Sequence, residues 1–198
     1  MFDIHGAADA TLTALEPVRE PGSVTIGVAI AIPEPAGLDI KRAREAYDDP
    51  QARAIPTHIT LLPPAMVAPS MLDGIDLHLR DAASRVRPFT VSLRGTGTFR
   101  PVSPVVFIAV SEGISGCETL ERVIRTGPLL RRRTFPYHPH VTLVHAVPEA
   151  VLDRAYREFA DYGFTFEAAR FTLYQQDADR VWQEVRSYPL GTDPSLVR

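Results

Sequence analysis

The feature that most constrains this chain is a tripeptide that occurs twice, His58-Ile59-Thr60 and His140-Val141-Thr142, 82 positions apart. The same offset carries Pro88-Phe89-Thr90 onto Arg170-Phe171-Thr172, and the apolar run from Val24 falls within about one residue of the run from Val105. Met71-Leu72-Asp73-Gly74 matches Val151-Leu152-Asp153-Arg154 at an offset of 80, so a two-residue gap separates the copies. A duplicated β-α-β-α-β unit explains these matches together. Two copies are too few for a solenoid, whose repeats are stabilised by stacked neighbours. The expected product is a pair of related lobes.

Local patterns fill in the elements. Val24–Ile32, bounded by Gly22 and Pro33, reads as a buried strand. Leu38–Tyr47 reads as a helix, and Ile55–Leu62 as a strand ending at Pro63-Pro64. Ser70–Val86 has helical apolar spacing with Ser70 as its N-cap, and Phe89–Phe99 reads as a strand bent near Gly95 or Gly97. The second copy predicts a strand at Val105–Ser111, a helix at Gly116–Arg125, a strand at Pro139–Val144 and a helix at Pro148–Tyr162. Strands Arg170–Tyr174 and Val181–Tyr188 follow, joined as a hairpin around Asp177–Asp179. The fold class is therefore α+β: two pseudo-symmetric β-α-β-α-β lobes, antiparallel-type sheets flanking a central cleft, and helices outside. Residues 1–22, with Pro17, Pro21 and Gly22, read as a loose leader carrying a short helix at Ala8–Leu15. Residues 23–198 read as a single bilobal domain with repeats at about 23–100 and 105–190.

Composition excludes several classes. Apolar residues make up 45% and charged residues 23% of the 198, ordinary values for a soluble globular protein. A net charge of -3 gives no overall attraction to nucleic acid, so any polyanion must be held by a local patch. Cys117 is the single cysteine, which excludes an intramolecular disulfide and a cysteine-rich zinc site and fits a cytoplasmic location. No apolar run reaches 18 residues, so no membrane span is expected. Met1–Gly22 lacks the basic and apolar regions of a secretory signal. A Gly-rich phosphate loop of the Walker type is absent.

Side chains two apart on a strand share a face. His58 and Thr60 therefore point one way, as do His140 and Thr142, while Ile59 and Val141 point into a core. Two histidines facing one phosphate can divide acid–base work between a neutral and a protonated imidazole. Threonine hydroxyls can donate to the non-bridging oxygens, where charge must be stabilised. A lone His-x-Thr in a strand is most often structural. Two copies at matched positions, each with apolar flanks, make the catalytic reading the stronger one.

Other residues are weaker candidates. Arg131 and Arg133, with Arg125 and Arg132, precede the second motif and are placed to bind a phosphate or to form a solvated basic loop. Tyr137, three residues before His140, is a candidate to stack on a base, whereas packing is the expected role of Phe99 and Trp182. His138, His140 and His145 invite a zinc reading, but no carboxylate lies among them and His145 should occupy the opposite strand face from His140. No metal site and no cofactor are expected.

Thr57-His58-Ile59-Thr60-Leu61-Leu62 and Pro139-His140-Val141-Thr142-Leu143-Val144 resemble the paired signatures of the 2H phosphoesterase superfamily, with its 2′-5′ RNA ligase-like and cyclic phosphodiesterase members. Tyr137-His138-Pro139 is similar to that family's approach to its second motif. The resemblance spans roughly Val24 to Leu190 and carries over four residues: His58, Thr60, His140 and Thr142. It implies a two-lobed fold with a central cleft and metal-free hydrolysis of 2′,3′-cyclic phosphates, usually to 2′-phosphates. The implied partner is a nucleotide or RNA terminus bearing such a phosphate. Formation of 2′-5′ linkages is the same chemistry reversed, and an idle nucleotide or RNA binder on the same fold is the alternative. A monomer is expected, because duplication already supplies the internal pairing.

Overall fold

The strands and helices assemble around one sheet. The structure is a computed structural model describing residues 22–133 and 135–191. The leader expected over residues 1–22, with its Ala8–Leu15 helix, lies outside them except for Gly22. Among the described residues there are eight strands: β1 (Val24–Ala31), β2 (His58–Val67), β3 (Phe89–Thr98), β4 (Val105–Glu112), β5 (His140–His145), β6 (Gly163–Ala168), β7 (Arg170–Gln176) and β8 (Trp182–Pro189). Four α-helices accompany them among the same residues: α1 (Ala36–Ala46), α2 (Leu72–Ser84), α3 (Ile114–Ile124) and α4 (Glu149–Glu158). Among the described residues, no helix is long and apolar enough to cross a membrane.

The sheet runs β6-β3-β4-β5-β2-β1-β7-β8, and every neighbouring pair is antiparallel. It divides at β5–β2 into two four-stranded halves, and these are not the two sequence repeats. The third strand of the first repeat, β3, pairs with β4 of the second; its counterpart β7 crosses back to pair with β1. Each repeat thus closes the other's half-sheet, and the exchange ties the halves into one molecule.

Alternation along β2 and β5 places Ile59, Leu61, Val141 and Leu143 on the core side, each at most 1% exposed. They join Ile40 of α1, Ile75 and Leu79 of α2, Leu120 of α3 and Leu152 of α4 in one cluster. Burying a side chain of this size contributes roughly 1.5–3 kcal/mol, which gives the His-x-Thr strands a stiff backing. Helix α1, from the first repeat, packs on β5 of the second, and α3 packs on β2, so the helices repeat the exchange.

Several boundaries differ from the sequence reading. Strand β2 runs on through Pro63 and Pro64, which sit at an irregularity: Leu62 pairs with Val28, and the next regular pair is Ala65 with Ile26. A proline without a ladder N–H is tolerated at such a bulge. Ser70 does not cap α2; it lies in a 3-10 turn over Pro69–Met71, and Met71 occupies the cap position. Helix α4 ends at Glu158, and the residues behind it form β6, an edge strand paired with β3 that the sequence reading did not separate from the helix and its loop.

Candidate active site

The two motif strands meet at the centre of the sheet. Ile59 pairs with Val141, and continuing that antiparallel register sets His58 opposite Thr142 and Thr60 opposite His140. The histidines are thus diagonal across the junction, related by the pseudo-two-fold of the duplication. All four side chains line a single cavity of about 650 Å³.

Both rings are held alike. His58 Nδ1 lies 2.6 Å from the carbonyl oxygen of Pro56, and His140 Nδ1 lies 2.7 Å from that of His138. A carbonyl only accepts, so Nδ1 carries the proton in each neutral ring and Nε2 is left as the basic nitrogen. The Thr60 hydroxyl, 3.1 Å away, donates to His58 Nε2. Burial pushes the His58 pKa down to about 4, aided by the charges of Arg44 and His140 and opposed by the Pro56 carbonyl. Burial also lowers that of His140, with His138 adding to the effect and the His138 carbonyl opposing it. Both imidazoles are therefore neutral near pH 7.

Aromatic rings fix His140 from the side. Phe99 meets it edge-on at 4.9 Å between centroids, Phe107 stands at 5.2 Å, and His138 is roughly parallel at 6.2 Å. Phe107 reaches this place over Gly97, where a Cβ would come within 2.4 Å of its ring. Phe99 and Trp182, expected to pack, both line the cavity. Gln51, Tyr174, Gln176, Asp179 and Arg180 also line it.

Two polar residues of the wall, Arg44 and His145, and Asp49 behind them escaped the sequence reading or were misplaced by it. Arg44 and Asp49 are buried and joined by a 2.9 Å hydrogen bond from Nε to Oδ2. His145 Nδ1 lies 3.1 Å from Asp49 Oδ1, within ion-pair range but poorly aligned for a hydrogen bond. Burial alone would raise the Asp49 pKa; His145, the Gln51 N–H and Arg44 outweigh it and hold the carboxyl below the usual range. A signal for Arg44 did exist: it lies in phase with Ala36 and Ile40 on the buried stripe of α1, where a cation is out of place. His145 was expected on the face opposite His140, and the structure corrects this. Phe107 pairs with Thr142 and Val106 with Val144, so Leu143 is an extra residue and the alternation slips by one. His145 therefore lines the same cavity as His140.

The weaker candidates do not converge on this cavity. Tyr137 is partly buried against the core, and its hydroxyl donates to the Thr60 carbonyl at 3.0 Å, bracing the first motif strand. Arg133 forks onto Glu121, a buried carboxylate that also pairs with Arg125 at 3.5 Å. Arg131 turns to the Leu130 carbonyl at 2.8 Å on an exposed loop. Tyr137, Arg131 and Arg133 all lie outside the cavity lining. The reason is local: a buried carboxylate attracts the nearest cations, and Glu121 holds Arg125 and Arg133.

Two His-x-Thr strands meeting at the centre of one antiparallel sheet define a class, the 2H phosphoesterases. The chain belongs to the 2′-5′ RNA ligase superfamily, whose family model matches residues 32–180. A Bacillus cytotoxicus protein that carries a provisional phosphoesterase name is 28% identical over 152 residues, spanning 75% of this chain and 86% of its own. Among solved structures, Escherichia coli LigT complexed with 3′-AMP superposes with a TM-score of 0.61 at 21% identity, covering 86% of this chain and 99% of LigT. A Thermus thermophilus protein superposes at 0.55 with 22% identity, covering 84% and 98%. At these identities the structural matches establish the fold, and the family membership supports phosphoesterase activity.

Proposed function

We propose that this protein is a metal-independent phosphodiesterase that opens 2′,3′-cyclic phosphates on RNA ends or small nucleotides. The observation that supports it most is the diagonal pair of imidazoles over one cavity, each with Nδ1 tied to a carbonyl and Nε2 left to react. One Nε2 takes a proton from the attacking water. The new P–O bond forms as the ring P–O bond to the leaving ribose oxygen breaks, and the other imidazole, protonated, gives that oxygen its proton. The Thr60 hydroxyl turns from His58 to the non-bridging oxygens, joined by Thr142 from the opposite strand. A phosphodiester anion between two neutral imidazoles favours return of a proton to one of them, which prepares the acid–base pair. LigT, a relative in fold, has been solved with 3′-AMP, ATP and phosphate, which fits a nucleotide-sized anion as ligand here.

The test is hydrolysis of a panel of 2′,3′-cyclic nucleotides and a cyclic-phosphate-ended RNA in EDTA, with His58→Ala and His140→Ala beside the wild type. Each variant should lose about 10²–10⁴ in rate. The wild-type kcat/KM should be bell-shaped with its optimum below pH 6.5, because both free-enzyme histidines titrate below their ordinary value. Undiminished turnover in either variant, or activity abolished by EDTA, would sink the mechanism. A folded wild type inert on the whole panel would replace it with an idle nucleotide binder.

A further inference from the structure

The cavity contains a fixed cation that belongs to neither motif. The Arg44 side chain is 3% exposed and that of its partner Asp49 is 0% exposed. Nε is spent on Asp49, and among the described residues that is the guanidinium's only hydrogen bond. The terminal amino groups, with the remaining donors of the fork, belong to a residue of the cavity wall. Asp49 is engaged from several sides: Arg44 on Oδ2, the Gln51 N–H at 3.0 Å on Oδ1, and His145 beside Oδ1. That surround fixes the plane of the carboxylate and, through it, the plane of the guanidinium. A buried ion pair adds little net stability over an apolar pair of similar volume, so stability alone accounts poorly for one whose arginine lines the same cavity as His58.

The electrostatic balance of the cavity leads the same way. With both imidazoles neutral and the threonines offering only hydroxyls, an arriving phosphate meets one buried positive charge in the lining, Arg44; Asp179 and Arg180, which also line the cavity, are exposed and of opposite sign. Guanidinium matches phosphate oxygens with parallel N–H donors.

We propose that Arg44 is the anion-binding residue of this cavity, its terminal amino groups taking non-bridging oxygens of a phosphate held between His58 and His140, with Asp49 as the positioning residue behind it. Only the identity of the anion as a phosphodiester rests on the phosphodiesterase reading; the anion site does not. The coupling follows from the same geometry. The groups acting on His58 are Arg44, His140, the Pro56 carbonyl and the Thr60 hydroxyl. Burial first, and Arg44 with it, hold the proton off His58; an anion that neutralises the guanidinium removes the share of Arg44, and the proton returns more readily as substrate binds.

The experiment uses inorganic phosphate as the probe. Its affinity is measured by calorimetry, and the His58 and His140 rings are titrated by NMR with and without phosphate, in the wild type, Arg44→Lys and Arg44→Met/Asp49→Asn. The double variant removes both charges together and so leaves no buried ion unpaired; a thermal melt confirms that it folds. Phosphate should bind about 10- to 100-fold more weakly to the double variant, and about tenfold more weakly to Arg44→Lys, whose single ammonium cannot serve Asp49 and phosphate as a fork does. His58 should titrate at higher pH in the double variant than in the wild type. Affinities within twofold of wild type in either folded variant, or an unmoved His58 titration in the double variant, overturn the proposal. A wild type that binds phosphate through Arg44 yet hydrolyses no cyclic phosphate upholds the anion site and removes the phosphodiesterase reading. Turnover with kcat/KM unchanged in both variants does the reverse.

Discussion

Lowering the pH from 7 to 4.5 probes the burial of His58 directly through stability. Its pKa is about 4 in the fold against 6.5 as an unperturbed side chain. The folded value is the lower one, so the unfolded chain binds the proton more tightly. The contribution is fully present above about pH 6.5 and is lost as the pH falls toward 4. At pH 4.5 the unfolded chain is almost wholly protonated at this site and the folded protein only partly so, which costs at most about 2.5 kcal/mol. That is a large share of the roughly 5–15 kcal/mol that holds a domain folded. The assay is urea unfolding of the wild type and His58→Gln at both pH values, read as a difference of differences. Asp49, Asp76 and Asp177, whose carboxyls are also held below their usual range, titrate in both proteins and cancel. The wild type should lose about 2 kcal/mol more than His58→Gln on acidification. Equal losses, within about 0.5 kcal/mol, would refute the claim that the imidazole is held neutral by a part-buried, cation-flanked setting.

Other outcomes follow from single contacts. Asp49→Asn leaves Arg44 buried without its counter-ion and should destabilise by about 3 kcal/mol, measured by the same unfolding assay. Gly97→Ala drives a Cβ into the Phe107 ring; it should cost about 1–3 kcal/mol and lower turnover, because Phe107 supports His140. Thr60→Val keeps the shape of the strand but removes the hydroxyl beside His58 Nε2, and kcat/KM should fall about 100-fold with the melting temperature little changed. Tyr137→Phe breaks the hydrogen bond to the Thr60 carbonyl and should cost about 1 kcal/mol, read by thermal melt.

Much of this protein was legible in its sequence because the signals are local and doubled. The period-two pattern of the His-x-Thr strands separates Ile59 and Val141 from their polar neighbours whatever the rest of the chain does, and duplication puts the two motifs in equivalent settings. Strand and helix types followed from the same short-range periodicities, with errors at ends such as Ser70 and Glu158, where capping and edge pairing depend on neighbours. Tertiary structure alone decided that β2 and β5 lie side by side, because sheet order depends on which distant strands bury each other's faces; the exchange of β3 and β7 between the repeats is a result of that choice. It decided too that a one-residue bulge at Leu143 swings His145 onto the cavity face, and that Glu121 draws Arg133 away from the cavity while Asp49 holds Arg44 within it. A charge on a helix stripe or at a strand end has no partner until the chain folds. The motif could be read from residues two apart, whereas the charges around it were set by residues brought together from different elements.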